Sequence, residues 1–454
     1  MSDELPKAWT SARLEEIVTA KKGKKPAVLR DSPADGFVPY LDIHAIEKSV
    51  IRQFAEAKSS RLAAKDDLFV VWDGARSGWV GGGITGAVGS TIMALTAQQV
   101  ESSYVRHFIA SQFQTLNNNT RGTGIPHVDP EVFWNLEVPL APLAEQKRIV
   151  AKLETLLGKV DASQQRLAKI PVLLKRFRQS VLAAACSGRL TADWREENEN
   201  IPTADSLIKN AQFQIAESED DLPELPEKWK RVALGDYARC FRGRFSPRPR
   251  NDPRYFNGPH PFIQIGDLPR EGGLVNSHIQ TLNDEGLSVS RKFPKGTVVI
   301  AIVGATIGNT GVLAYDMCVT DSIVGLETGD ELGNRYAELF LRHKKEAIRQ
   351  SSYSSGGQPN LSLAALTPYP LALPPLPEQQ EIVRRVDALF ALADQLEARL
   401  AKARRQVDQL TPSLLARAFT GQLVPQDPTD EPAEELLERI RSNHESKSGK
   451  DARK

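Results

Sequence analysis

The chain has 454 residues and a formal net charge of +1, with 41% hydrophobic and 25% charged residues. This length fits two to four domains with substantial cores, and the near-zero net charge selects no class of partner by itself. No apolar run is long enough to span a membrane and no signal-peptide pattern is present, so we expect a cytoplasmic protein. The three cysteines lie far apart, which favours neither a disulfide framework nor a zinc cluster.

Residues 1–141 are predicted to form the first of two variable domains. Short β-branched runs closed by turn residues, VPYLDI at Val38 and LFVVWDG at Leu68, indicate strands, and SSYVRHFIASQF at Ser102 indicates a helix. This mixture predicts a small α+β domain. A dense basic cluster, KKGKK, contributes Lys21, Lys22, Lys24 and Lys25. Such a cluster is suited to nucleic-acid phosphates, although charged runs are often only solvated.

Two loops of this domain carry polar residues that are candidates for contacts with bases. They are the turn beginning at Arg76 and the loop beginning at Arg121, from which we select Arg76, Ser77, Arg121, Thr123 and His127. The plain alternative for each is a turn without a ligand. Trp79 is more simply explained as a packing residue.

Residues 142–190 are predicted to be a constant helical region. Apolar residues at steps of four and three form a heptad seam at Ile149, Leu153, Leu156, Val160 and Leu167. Pro142 before the helix and Glu145 in its first turn are typical of a helix N-terminus. We expect Pro171 to interrupt this helix and a second helix to end at Gly188.

Residues 191–222 are predicted to be a linker, and residues 223–374 a second variable domain. HPFIQI at His260 and GTVVIAIVG at Gly296 resemble the strands of the first domain. The basic residues at the place that matches KKGKK are Arg242, Arg244, Arg248 and Arg250. The candidates for contacts with bases are Thr306, Asn309, Tyr353, Ser354, Gln358 and Asn360.

Residues 375–424 repeat the constant helical region, and residues 425–454 are predicted to be a C-terminal tail. The second seam consists of Ile382, Val386, Leu389, Leu396 and Leu400, and Pro412 is expected to interrupt the helix as Pro171 does. The two regions align without a gap at an offset of 233 residues, so that Pro142 matches Pro375 and Gly188 matches Gly421. This duplication predicts two pseudo-symmetric α+β domains, separated and joined by long helices that form an antiparallel coiled coil.

Signatures of several enzyme classes are absent from the sequence. It contains no GxxxxGK[ST] phosphate loop and no Asn-Pro-Pro-Tyr or Asp-Pro-Pro-Tyr signature of amino-methyltransferases, and its histidines do not cluster. Glu145-Gln146-Lys147 matches part of a nuclease motif, but its repeat partner at Glu378 lacks the lysine. We therefore predict no catalytic residue, no metal site and no cofactor in this chain.

The motif order resembles the specificity (S) subunit of type I restriction–modification systems. The resemblance is carried by two variable domains, each followed by a helix that opens with PLAEQ or PPLPEQ, and by the stretches GATIGNTG and GGQPNLSLAALTPYPLALPPLPEQQEIV. ACSGRLTADW and AFTGQLVPQDP also match the expected helix ends. The resemblance covers nearly the whole chain, and its motifs are specific in combination.

This resemblance implies a function that the residues alone do not give. In the family, each variable domain is a target recognition domain that reads half of a bipartite asymmetric site in double-stranded DNA. The helices space these domains and bind two modification subunits, which carry S-adenosylmethionine and methylate adenine. A restriction subunit can join, using ATP and Mg. The specificity subunit itself catalyses nothing.

Two other classes of function stay open from the sequence. One is a coiled-coil scaffold that joins proteins without binding DNA, against which the basic clusters and the two divergent domains count. The other is a self-contained methyltransferase or nuclease, against which the missing motifs count. If the helices set the spacing of the half-sites, the stretch from Glu145 to Lys169 spans roughly 37 Å, close to one turn of B-DNA.

Overall fold

The computed structural model describes residues 5–122, 124–215, 224–352 and 360–451. The chain divides into two compact units, which we call unit 1 (Met1–Ala168 with Ala401–Lys454) and unit 2 (Lys169–Leu400). Each unit therefore contains one variable domain, the first part of the helix that follows it and the last part of the other long helix.

Both units combine helices with mainly antiparallel sheets, in agreement with the α+β fold that the sequence predicts. The helices are α1 Leu14–Ile17, α2 Ile43–Lys48, α3 Ser102–Ser111, α4 Phe113–Asn118, α5 Pro130–Trp134, α6 Leu143–Cys186, α7 Ala192–Glu197, α8 Leu234–Tyr237, α9 Asp284–Val289, α10 Glu331–Ser351, α11 Leu363–Leu366, α12 Leu376–Phe419 and α13 Ala433–Asp451.

The strands of unit 1 are β1 Thr10–Arg13, β2 Val18–Lys22, β3 Leu29–Arg30, β4 Phe37–Leu41, β5 Phe54–Glu56, β6 Leu62–Ala63, β7 Leu68–Val71, β8 Val80–Gly82, β9 Gly86–Val88, β10 Ile92–Ala97, β11 Thr120–Arg121, β12 His127–Val128 and β13 Glu137–Leu140. They form a sheet in the order β2-β10-β7-β8, a second sheet in the order β3-β5-β4-β9-β6, and the pairs β1-β13 and β11-β12.

The strands of unit 2 are β14 Lys230–Ala233, β15 Arg239–Arg242, β16 Phe256–Ile263, β17 Leu274–Val275, β18 Gln280–Leu282, β19 Arg291–Phe293, β20 Val298–Ala301, β21 Thr310–Leu313, β22 Met317–Val319, β23 Ile323–Glu327 and β24 Pro370–Leu373. Their sheets are β15-β23-β20-β21-β17, β18-β16-β22-β19 and β14-β24. The order β15-β23-β20-β21 repeats β2-β10-β7-β8, and the parallel pair β16-β22 repeats β4-β9. The duplication is thus a repeat of topology.

A buried hydrogen-bonded clamp fixes the start of each long helix. The indole N–H of Trp9 donates to Glu145 (3.0 Å), and that of Trp229 donates to Glu378 (2.7 Å). Both carboxylates are almost completely buried. In each unit, the tryptophan of the LPxxW sequence therefore contacts the glutamate of the LAEQ or LPEQ sequence. A buried carboxylate needs such hydrogen-bond donors because its desolvation is costly.

The two long helices pack antiparallel within each unit. In unit 1, Ile149 and Leu153 near the start of α6 share a core with Leu415 and Phe419 near the end of α12. In unit 2, the start of α12 (Ile382 and Val386) shares a core with the end of α6 (Val181 to Cys186). The predicted antiparallel pairing is confirmed.

The prediction that proline interrupts these helices is wrong. α6 is continuous from Leu143 to Cys186 through Pro171, and α12 from Leu376 to Phe419 through Pro412. A proline removes the hydrogen bond to the carbonyl four residues earlier. The carbonyl that Pro171 leaves free is that of Leu167, and it accepts a hydrogen bond from Arg404 (3.1 Å) instead.

The heptad seam is buried unevenly. Ile149, Leu153, Ile382 and Val386 are completely buried, Val160 and Leu400 nearly so, and Leu156, Leu167 and Leu389 partly. Leu396 is 40% exposed, so its assignment to the seam is corrected. The apolar periodicity of a sequence identifies the apolar face of a helix. Which residues of that face are buried depends on how the neighbouring elements pack against it.

The segment that follows each long helix packs against the unit in which that helix ends. The segment after α6 packs against unit 2, and the segment after α12 packs against unit 1. Ala204 belongs to the core of unit 2, and the amide of Gln212 donates to Asp236 (2.9 Å). In unit 1, Ala433, Leu436 and Ile440 of α13 are buried in the core. The chain thus stays attached to the cores through buried apolar residues well beyond the glycines that follow α6 and α12.

Candidate nucleic-acid interface

The two predicted basic clusters occupy equivalent places in their units. β2 ends at Lys22 and β15 at Arg242, and both strands pair with the matching strand of their sheet. The next residues are Gly23 and Gly243, where an added Cβ would lie 2.1 Å and 2.0 Å from a carbonyl oxygen of the neighbouring segment. Glycine at both places allows this close approach, so Lys-Gly-Lys and Arg-Gly-Arg are structural counterparts.

The lysines of unit 1 lie on the surface. Lys21, Lys22, Lys24 and Lys25 are all exposed. Among the described residues, only Lys22 of these four forms an ion pair, with Asp73 (3.1 Å). The cluster therefore presents a largely uncompensated positive charge to solvent.

The arginines of unit 2 are exposed but more ordered. Arg242 donates to the backbone carbonyl of Asp321 (2.6 Å), and Arg244 donates to two backbone carbonyls at 3.0 Å. Arg248 and Arg250 share the carboxylate of Asp321, at 3.5 Å and 2.9 Å. Backbone carbonyls leave the guanidinium charge in place. Among the described residues, the four arginines therefore have one carboxylate, Asp321, which pairs with two of them.

In unit 1 the fold brings the two predicted reading loops together. The amide of Gly74 donates to the carbonyl of Pro126 (2.8 Å), and the hydroxyl of Ser77 bonds to the carbonyls of Gly74 (2.6 Å) and Pro126 (3.1 Å). Ser77 is completely buried. It holds the two loops against each other and is not accessible to DNA, so its prediction as a base contact is corrected.

Sequence reasoning missed Asp73, which lies at the centre of this site. Its carboxylate accepts from Nδ1 of His127 (2.7 Å) as well as pairing with Lys22. His127 and Lys22 remain about half exposed at their side chains. One carboxylate thus orients a residue of the basic strand and a residue of the reading loop, which are far apart in sequence. No motif relates these three residues.

Two exposed arginines of unit 1 are held by carboxylates. Arg76 pairs with Glu47 (3.3 Å), and Arg121 pairs with Asp129 (2.7 Å) and Glu131 (3.0 Å). The hydrogen bond with Asp129 and that carboxylate's charge raise the pKa of Arg121 above its ordinary value. Arg121 is consequently oriented but compensated, which weakens it as a general phosphate contact.

In unit 2 the corresponding turn runs from Gly304 to Asn309. Thr306 is partly buried, and its hydroxyl donates to the carbonyl of Val303 (3.3 Å). Asn360 is exposed, and its backbone forms an isolated β-bridge with Val303. Asn309 is only 7% exposed, because the turn folds its side chain inward. Its prediction as a base contact is corrected. The predicted residues Thr123, Tyr353, Ser354 and Gln358 lie outside the described residues.

The remaining chemistry-bearing groups have structural surroundings. Burial raises the pKa values of the Cys186 and Cys240 thiols to about 12, so both are poor nucleophiles. Glu145, the glutamate of the partial nuclease motif, and its repeat partner Glu378 are committed to the tryptophan clamps. Over the described ranges, no group of three His, Cys, Asp or Glu residues is arranged to hold a metal ion. None of the helices in these ranges combines the length and the apolar character that a membrane-spanning segment needs.

Comparison with known families gives a match over most of the chain. A family described as the type I restriction modification DNA specificity domain matches residues 6–172 and 226–403. These two ranges correspond to the two copies of the duplication, each a variable domain with the helix that follows it.

Individual relatives and solved structures agree. The chain is 28% identical to the type I restriction enzyme EcoDI specificity subunit of Escherichia coli, over 99% of this chain and 98% of that protein. It is 31% identical to the EcoBI specificity subunit of Escherichia coli, over 76% and 72%. Its fold is similar to that of the HsdS subunit from Thermoanaerobacter tengcongensis (TM-score 0.57, 20% identity, 92% and 98% coverage). A chain solved in a study of assembly and conformational transition of a type I R-M system has a TM-score of 0.68 at 20% identity, with 93% and 100% coverage.

Proposed function

Because the chain belongs to the type I restriction–modification DNA specificity family, we propose that it binds a bipartite asymmetric site in double-stranded DNA and directs adenine methylation or restriction by partner subunits. The observation that carries this proposal is the pair of equivalent basic strand ends, Lys22 and Arg242, each followed by a glycine. Basic residues supply sequence-independent attraction to phosphates, and nearby loops supply base readout.

Each unit is proposed to read one half-site. In unit 1 the readers are the exposed residues around Asp73, chiefly His127, with Arg76 and Arg121 beside them. In unit 2 they are Thr306 and Asn360 together with the candidates outside the described residues. Imidazole, hydroxyl and amide groups can donate or accept at base edges in the major groove.

Catalysis is proposed to reside in the partners. Two modification subunits would carry S-adenosylmethionine, and restriction subunits would use ATP and Mg. Supporting this division, the buried glutamate of the partial nuclease motif, Glu145, is already bonded to Trp9. Methyl transfer to DNA by the purified chain alone would contradict it.

The decisive experiment is a map of methylated adenines. The chain is co-expressed with its modification subunits, and residues 226–372 are replaced by those of a relative with a different target. We expect one half of the methylated motif to change and the other half to stay. A change in both halves would contradict the assignment of one half-site to each unit.

Salt dependence tests the basic strands. Arg242→Ala with Arg244→Ala should weaken DNA binding and reduce the slope of log K against log salt by about two, if both residues contact phosphate. Lys22→Ala with Lys24→Ala is the matched change in unit 1. An unchanged slope would remove that strand from the interface.

The long helices are proposed to set the gap between half-sites at about ten base pairs, centre to centre. The boundary between the two units falls after Ala168 in α6 and after Leu400 in α12. Seven residues inserted at each of these points should therefore leave the contacts within each unit unchanged. Seven helical residues add roughly 10 Å, or about three base pairs. The half-sites should stay the same while the gap grows. An unchanged gap would show that the helices do not set it.

A further inference from the structure

Unit 2 contains a cavity of about 470 Å³ between α6, α10 and the loop before β17. Six cationic side chains line it: Lys175, Arg178, Arg270, Arg342, Lys345 and Arg349. Only two carboxylates, Glu271 and Glu346, share the lining. All of these residues belong to unit 2. The volume is that of a binding pocket, and the charge is strongly positive.

One of the six cations is compensated by an ion-pair network. Arg178 is bound by Asp394 (2.5 Å) and Glu397 (2.7 Å). Within the described ranges, Lys345 donates only to a neutral group, the backbone carbonyl of Arg270 (2.8 Å). Arg342 lies over the ring of Phe390 (4.7 Å).

The other three cations are available. Among the described residues, the side chains of Lys175, Arg270 and Arg349 have no hydrogen bond or ion pair. Five cations therefore face two carboxylates in the lining. The buried Glu338 accepts from the Gly273 amide and the Thr310 hydroxyl (both 3.0 Å), and its negative charge acts on Arg342 of the lining.

The positive charges that line this cavity repel one another. Burial lowers the pKa of Lys345, and the charges of Lys175 and Arg349 lower it further, against the opposing effect of Glu271 and Glu346. Burial likewise lowers the pKa of Arg342. An anion in the cavity would relieve this repulsion and form charge-assisted hydrogen bonds.

The cavity adjoins the proposed reading turn of unit 2. Gly308 has a φ of +82°, and a Cβ added there would lie 2.9 Å from the carbonyl oxygen and 3.0 Å from the Cγ of Lys345. The turn thus rests directly on α10 at Lys345. Thr310, which follows the turn, lines the cavity. The cavity therefore lies beside the segment that carries the proposed reading turn.

Unit 1 has uncharged or acidic residues at the places of four of these six cations. Tyr104 and Tyr336 are counterparts, since each donates to a strand carbonyl at 2.5 Å just before a long helix. Aligning α3 and α4 with α10 on these tyrosines places Ala110, Phe113 and Asn117 opposite Arg342, Lys345 and Arg349. The offset of the long helices places Asp408 opposite Lys175. Because the same frame folds without these cations, packing does not require them.

From this asymmetry we propose that the cavity binds a backbone phosphate of DNA beside the half-site read by unit 2, with Lys175, Arg270 and Arg349 as its ligands. This inference rests on the proposed function, and it adds an anchor that unit 1 does not have. Guanidinium and ammonium groups around one pocket are suited to a phosphate, whether it belongs to a nucleic-acid backbone or to a free polyphosphate.

The test uses the complex with the modification subunits. Lys175→Gln with Arg349→Gln removes two charges at similar side-chain length. We expect the slope of log K against log salt for DNA binding to fall by one to two, with roughly tenfold weaker binding and an unchanged methylated motif. Lys230→Ala with Arg384→Ala removes two surface charges of unit 2 outside the cavity and should leave the slope unchanged.

The outcomes separate the possible errors. A wild-type slope in the double variant overturns the DNA assignment. If tripolyphosphate then raises the melting temperature of the wild type but not of the variant, the ligand is a free polyphosphate instead. If the variant does not fold, Arg270→Gln is measured in the same assay, with a fall in slope of about one expected for its single charge. Failure of the wild-type complex to bind DNA specifically would instead contradict the proposed function.

Discussion

The two units share one clamp but compensate its buried charge differently. In unit 1, Glu145 accepts from Trp9 and from the neutral amide of Gln426 (2.7 Å). Burial raises the pKa of Glu145 despite these donors. In unit 2, Glu378 accepts from Trp229 and is also paired with Arg195 (2.5 Å). After duplication the helix start was kept, while the charge that balances it was free to change.

A second difference lies in the core beside the clamp. Phe419 at the end of α12 packs edge-on against Tyr104 and Phe108, with ring centroids 5.1 Å and 5.4 Å apart. The counterpart of Phe419 at the same offset is Cys186, at the end of α6. Both are 7% exposed. The two cores therefore fill the same place with side chains of very different volume.

The largest effect should come from the charge in the clamp of unit 2. Glu378→Ala leaves Arg195 and the Trp229 N–H without their acceptor, and we expect unit 2 to lose about 4 kcal/mol. Glu145→Ala leaves no cation of the clamp without its partner, and we expect it to lower the free energy of unfolding of unit 1 by about 2 kcal/mol. Hydrogen exchange read by mass spectrometry reports each unit separately. Equal costs would remove the proposed difference between the clamps.

Core volume should give the next largest effect. Phe419→Ala should destabilise unit 1 by about 3 kcal/mol, because it leaves a cavity beside two aromatic rings. Cys186→Ala, the matched change in unit 2, should cost about 1 kcal/mol. Hydrogen exchange of the peptides around Tyr104 and Tyr336 measures both. A small effect of Phe419→Ala would mean that the surrounding core collapses into the space.

A buried histidine should make unit 1 sensitive to acid. Burial lowers the pKa of His107 from 6.5 to about 4. The unfolded chain then binds the proton more tightly, so the contribution of His107 to stability is present above pH 6.5 and is lost as pH falls towards 4.

The counterpart of His107 in unit 2 is Leu339, which suggests the control His107→Leu. Between pH 6.5 and 4, the wild type should lose about 2–3 kcal/mol of unit 1 stability more than this variant does. Hydrogen exchange corrected for the intrinsic pH dependence measures the difference. Parallel pH profiles would contradict a depressed pKa.

The smallest effect concerns thiol reactivity, which reports on unit 2 alone because all three cysteines lie there. With pKa values of about 12, Cys186 and Cys240 should react with iodoacetamide at pH 8 far more slowly than in urea. Glu378→Ala should speed the labelling of Cys186, and Glu145→Ala should not. Rapid labelling of both thiols in the native protein would contradict their raised pKa values.

Much of the candidate site followed from local pattern. The equivalence of KKGKK and the arginine-rich segment was visible in the sequence, and the matching strand ends at Gly23 and Gly243 agree with it. Exposure was not visible. Ser77 and Asn309 have polar side chains suited to bases, yet both are buried, and the Ser77 hydroxyl bonds to the carbonyls of its own loops. Polar residues in glycine-rich turns serve either purpose, and composition does not separate the two.

The sequence by itself determined the duplication, the two α+β domains and the antiparallel pairing of the long helices, because repeats and apolar periodicity are local properties of the chain. Only the tertiary structure decided that α6 runs through Pro171, since the freed carbonyl of Leu167 finds its donor in Arg404. It also joined Asp73 to Lys22 and His127, and Trp9 to Glu145. These partners are distant in sequence, and a hydrogen bond between them exists only once the fold has brought them together.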